Sequence, residues 1–179
     1  MTQNTLAHRL GTTTHVSPLL MKARRLGLRV PEDLCTLAVQ RGCRHYWQGD
    51  EPATPLLTQE QMSDEELAMA LLCIAGQYDP HAIRCGAAML GAEGNDPVHI
   101  ARLAVWERSE AVVRYVAECG AKFEPENAFW SKLLKLMPQT PAPKPGVLPH
   151  PTRFVAMTGI TRRGRETVMQ WVRPGQSAA

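Results

Sequence analysis

Residues 96–121 read DPVHIARLAVWERSEAVVRYVAECGA, and two helices joined by a short turn account for them. Asp96 offers a side-chain oxygen for an N-cap, and Pro97 takes the first helical position, where a missing N–H costs little. Ser109 opens a second run in which Val112, Val113, Val116 and Ala117 recur at helical spacing, leaving Arg114 and Glu118 as an exposed i,i+4 pair. A pair of helices with so narrow an apolar face cannot bury that face alone, so neighbours of the same kind must stack on it.

Outward from this stretch the same grammar recurs. Asp79-Pro80 starts HAIRCGAAMLG, and Ser63 caps DEELAMALLCIAG with Glu66 at the capping-box position. Ser17-Pro18 starts a helix that runs to Gly27, while Pro31, followed by Glu32 and Asp33 in the first turn, starts one that ends at Gly42. Downstream, Pro125 starts ENAFWSKLLKLM, which Pro138 stops. Three of these helices close alike on glycine and a small residue, at Gly42-Cys43, Gly91-Ala92 and Gly120-Ala121. Residues 43–62 interrupt the pattern with Gly49, Pro52 and Pro55 and are expected to form a long loop.

Asp96-Pro97-Val98-His99-Ile100-Ala101 resembles the Thr-Pro-Leu-His-Leu-Ala opening of an ankyrin repeat, and Val112 to Phe123 is similar to that repeat's second helix with its Gly-Ala exit. The closing glycines lie 49 and 29 residues apart, where the ankyrin period is about 33. The resemblance implies ankyrin-like stacking and partner recognition, and another α-hairpin solenoid satisfies the same pattern.

After Met137 the character changes. Six prolines in residues 138–151 forbid a helix and favour an extended spacer. TRFVAMTGIT and ETVMQWVR then read as two strands around Arg162-Arg163-Gly164-Arg165, a β-hairpin with a basic tip. The expected organisation is a flexible tail over 1–14, a helical repeat domain over 15–137 with its loop at 43–62, a spacer over 138–152, a basic hairpin over 153–174 and a tail over 175–179. The fold class is therefore mainly α, a stacked helix-pair array with a β-hairpin appendage.

Charge follows these divisions: residues 63–137 carry seven Lys/Arg against eleven Asp/Glu, while residues 138–179 carry six against one. Five cysteines with no CxxC pair, mostly inside apolar helical runs, read as buried free thiols in a reducing compartment. The N-terminus lacks the apolar core of a signal peptide and no stretch reaches membrane-span length, so a cytoplasmic location without membrane contact is expected.

Chemical motifs are sparse. His81 and Cys85 stand four apart on one helix, and Cys35, Cys43 and His45 cluster upstream, but neither group has a second pair at metal-ligand spacing, so no metal is expected. There is no Walker loop, no GxGxxG after a strand, no HExxH and no local nucleophile–base signature, so neither catalytic residues nor cofactors are assigned. Within ARRLGLRVPEDLCTLAV, the acidic Glu32-Asp33 would meet phosphates at the start of a recognition helix, which opposes a helix-turn-helix reading. What remains is recognition of another protein by a non-catalytic adaptor or scaffold. Tyr46, Trp47 and Trp106 are its candidate anchors, and Arg153, Arg162, Arg163, Arg165 and Arg173 its basic contacts. Nucleic acid is the alternative partner for those arginines.

Overall fold

Capping chemistry sets where most helices begin. The computed structural model describes residues 4–46, 54–158 and 168–175, and among these it places eight α-helices. They are α1 (Leu6–Leu10), α2 (Pro18–Arg25), α3 (Glu32–Gln40), α4 (Asp64–Leu71), α5 (Pro80–Leu90), α6 (Pro97–Trp106), α7 (Glu110–Phe123) and α8 (Ala128–Leu136). The side chains of Ser17, Asp79 and Asp96 accept from backbone N–H groups of α2, α5 and α6, and Ser63 forms the full capping box with Glu66. Two starts differ from expectation. Ser109 makes no cap bond, because its hydroxyl donates to the Glu107 carbonyl and accepts from the Ile74 N–H. Helix α8 begins after Asn127, whose side chain accepts from the Phe129 N–H, three residues beyond Pro125.

Helix α4 packs on α2, α3, α5 and α6; α6 packs on α8, and α3 on α5. The N-cap residues of α4, α6 and α8 are Ser63, Asp96 and Asn127, spaced 33 and 31 residues apart. Leu34, Leu37, Leu67, Met69, Leu72, Met89, Leu90, Ile100, Val113 and Val116 belong to the continuous core these helices enclose. Gly120 is required by close approach: a Cβ there would lie 2.3 Å from the ring of Trp130, which α8 drives against α7.

Residues 5–10, within the loose tail expected over 1–14, are instead tied to the helical body. Thr5 caps α1 and bridges to Gln77, Leu6 and Ala7 donate their N–H groups to the carbonyls of Gly76 and Ile74, and both side chains are buried. Five residues are too few for a free-standing helix, so α1 exists because these long-range bonds hold it.

The C-terminal segment is equally integrated. Residues 138–150 contain no helix, as the prolines require, but they form a strap and not a spacer: the Tyr115 hydroxyl donates to the Pro149 carbonyl at 2.8 Å, and Leu148 is buried. A 3-10 turn (Pro151–Phe154) leads into β1 (Val155–Thr158), which pairs antiparallel with β2 (Val168–Trp171), Val155 facing Trp171. Trp171 is fully buried, stacks edge-on against Trp130 with centroids 4.9 Å apart, and donates its indole N–H to the Ala87 carbonyl. The small sheet is thus part of the core, which meets the requirement that a lone hairpin dock on something.

Candidate functional site

The residues singled out in the sequence separate into three groups. Trp106 stands at the last position of α6 and is 69% exposed, as an anchor would be. Tyr46 is not exposed: it keeps 7% of its surface, its hydroxyl donates to the Arg153 carbonyl, and its ring meets that of His81 edge-on. Arg173 is engaged internally, its guanidinium donating to Glu124 through both terminal nitrogens and to the Gly91 carbonyl through Nε. That pair fastens the end of β2 to the end of α7. Arg153 is exposed. Trp47, Arg162, Arg163 and Arg165 lie outside the described residues.

Around Trp106 the surface forms a shallow groove of about 320 Å³ lined by Val98, Ala101, Arg102, Val105, Trp106 and Leu136. Positions 98, 101, 102 and 105 make one stripe of α6, while Ile100, Leu103 and Ala104 on its other side are buried. Helix α6 is therefore apolar on two faces, and the outer one is completed by Leu136 from the last turn of α8. Val98, Val105 and Leu136 were not among the anchors read from sequence; the signal available was that α6 carries more apolar residues than one buried face needs.

Two largely buried polar clusters stand out among the described residues. In the first, the Glu107 carboxylate accepts from the Ser17 hydroxyl, from the Leu19 N–H at 3.1 Å and from the Cys73 thiol at 3.6 Å. His15 Nε2 lies 3.9 Å from the same carboxylate. Glu107 sits where the dipole of α2 is positive, and it satisfies one of that helix's first backbone donors, the buried Leu19 N–H. Burial pushes the Cys73 thiol up to about 11, so it stays protonated near neutrality and is not an activated nucleophile. The cluster is a fastening between α2 and α6.

The second cluster joins three parts of the chain. Cys35 projects from α3, Cys43 from the turn after it, and His81 and Cys85 from the first two turns of α5. The donor atoms of Cys35, His81 and Cys85 all lie within 4.8 Å of one another, with Cys85 Sγ 3.7 Å from His81 Nε2. The neighbouring thiols of Cys35 and Cys43, with burial, push the Cys85 thiol far up; the Cys43 thiol lies outside the set of donors that fall within 4.8 Å of one another. His45 is exposed on a 3-10 turn (Arg44–Tyr46) and stands apart from this set. Spacing along the chain could not reveal the group, because its two halves are separated by 38 residues and meet only when α3 packs on α5.

All five cysteines are buried free thiols. No helix among the described residues is long and apolar enough to cross a membrane. No family model, no curated protein and no solved structure matches this chain.

Proposed function

We propose that this chain is a non-enzymatic recognition scaffold, a helix-pair array of ankyrin-like or other α-solenoid type, that binds another protein through the groove between α6 and α8. The observation that carries the reading is Trp106, a large aromatic side chain left in solvent beside Val98, Val105 and Leu136, when a well-filled core is available a few ångströms away. The succession of packed helices α2, α4, α6 and α8, with near-regular N-cap spacing in the last three, supports the array. Arg102 in the groove and the exposed Lys132 and Lys135 on α8 favour a partner with acidic flanks. The occupant that fits is an amphipathic helix presenting apolar anchors at i, i+3 or i+4, and i+7 between acidic residues. Five unpaired cysteines support a reducing compartment such as the cytoplasm.

Selection from a displayed library of helical peptides tests this. Enriched sequences should carry that anchor pattern, and Trp106→Ala should weaken their binding by at least about tenfold, near 1.4 kcal/mol. Because Trp106 is exposed, the same change should leave folding stability within about 0.5 kcal/mol. Enriched peptides that bind the Trp106→Ala protein equally well would remove the groove from the account. The alternative, a nucleic-acid contact, is favoured by the basic C-terminal charge. It requires low-salt binding to random-sequence DNA that is lost when Arg162, Arg163 and Arg165 become Ala.

A further inference from the structure

We infer that Cys35, Cys43, His81 and Cys85 form a structural zinc site that ties α3 and the turn following it to α5. Three thiols and one imidazole are a complete tetrahedral set for zinc, and soft sulfur donors disfavour magnesium or calcium. The geometry agrees: with Zn–S near 2.3 Å and Zn–N near 2.1 Å, the S···N edge of a tetrahedron is about 3.6 Å, and Cys85 Sγ to His81 Nε2 measures 3.7 Å. The i,i+4 placement of His81 and Cys85 puts both on one face of α5. Gly42, at φ +109°, turns the chain directly after α3 so that Cys43 folds back over the end of that helix, its N–H donating to the Ala38 carbonyl at 2.9 Å.

Surrounding groups fit a closed, anionic centre. Zinc with three thiolates and an imidazole carries one net negative charge. Arg84, adjacent to Cys85, places its guanidinium 5.7 Å from the centre of the Tyr46 ring, and its buried Nε–H has no hydrogen-bond partner among the described residues. Such a cation next to the thiol cluster balances that charge. Binding is written Zn²⁺ plus three thiols and an imidazole giving the complex and three protons, with no redox change. Cys35, His81 and Cys85 already converge, and with the buried Cys43 thiol swung in as the fourth ligand the protein fills every position and leaves none open for water or substrate, so the site is structural.

A second group with metal-ligating atoms close together among the described residues is His15, Cys73 and Glu107, where only one donor is sulfur and Glu107 is already committed to Ser17 and Leu19. It makes a control. Full-length protein produced with zinc in the medium, desalted and analysed by mass-spectrometric metal counting, should hold about one zinc per chain, released by a mercurial thiol reagent. Cys35→Ser and Cys85→Ser should each lower this to below about a tenth of a zinc per chain, while Cys73→Ser and Cys119→Ser leave it unchanged. If the ligand variants prove insoluble, the wild-type chain decides. After chelation, cobalt(II) should give the ligand-field bands of a tetrahedral centre with thiolate-to-cobalt charge transfer, and zinc should displace it stoichiometrically. Substoichiometric zinc with an octahedral cobalt spectrum, a disulfide among these cysteines in the protein freshly purified without reductant, or loss of metal on Cys73→Ser but not Cys35→Ser would each overturn the assignment.

Discussion

Glu124 sits where three donors converge: the Arg173 guanidinium, the Trp130 indole N–H at 2.9 Å and the Asn127 side-chain amide at 3.2 Å. Burial alone would raise its carboxyl, but the hydrogen bonds from Arg173, Trp130 and Asn127 and the charge of Arg173 outweigh it and hold the group below the usual carboxylate range. A carboxyl held low in the fold binds its proton more readily in the unfolded chain. Its contribution is therefore complete above the ordinary carboxylate value and is lost as pH falls through the depressed one. Urea midpoints measured between pH 7 and pH 3 should fall in acid for the wild-type chain. Glu124→Gln should start lower, by about 2 kcal/mol for a half-buried pair losing one partner, and should decline less steeply. Parallel acid profiles would show that the pair is idle. Gly120 makes a different demand. Gly120→Ala puts a methyl group into the Trp130 ring, and should cost about 2–3 kcal/mol in the same assay as the overpacked helices separate.

Whether an element could be read in advance depended on whether its causes were local. The Ser-Pro and Asp-Pro starts of α2, α5 and α6 were legible because a cap acts within three residues, and the boundaries follow it. Ser109 looked the same in sequence, yet its hydroxyl is taken by Glu107 and Ile74, one of them 35 residues away. Helix α1 has no apolar periodicity worth the name, and it is fixed by bonds to residues 74–78 that no local pattern announces. The two halves of the thiol–histidine cluster were visible separately, and only the packing of α3 on α5 makes them one group. Leu6→Ala should destabilise the chain by about 2–4 kcal/mol, the range for a fully buried leucine, whereas a loose tail would tolerate it without effect. Amide exchange at Leu6 and Ala7, whose N–H groups cross to Gly76 and Ile74, should be slowed alongside the core and lose that protection in the variant.

At the scale of the whole molecule, the proline-rich stretch looked like a divider because prolines at 138, 141, 143, 145, 149 and 151 exclude a helix, and composition carries no information about what an extended chain lies against. Tyr115 and Arg114 of α7 hold that chain by its carbonyls, and Leu148 within it, with Phe154, Val155, Trp171 and Val172 beyond it, completes the core that Trp130 and α5 leave open. Five such side chains bury apolar surface worth on the order of 10 kcal/mol before the cost of ordering the segment is subtracted. That is comparable with the entire stability of an ordinary domain, about 5–15 kcal/mol. A chain ending at Met137 should therefore melt broadly and well below the full-length protein and bind a hydrophobic dye. Trp171→Ala should lose about 3–5 kcal/mol while keeping one transition. If the shortened chain instead unfolds as sharply and as late as the full one, residues 138–175 are an appendage after all. The contacts of Trp171 with Ala87, Trp130 and Phe154 would then contribute nothing to holding the helices together.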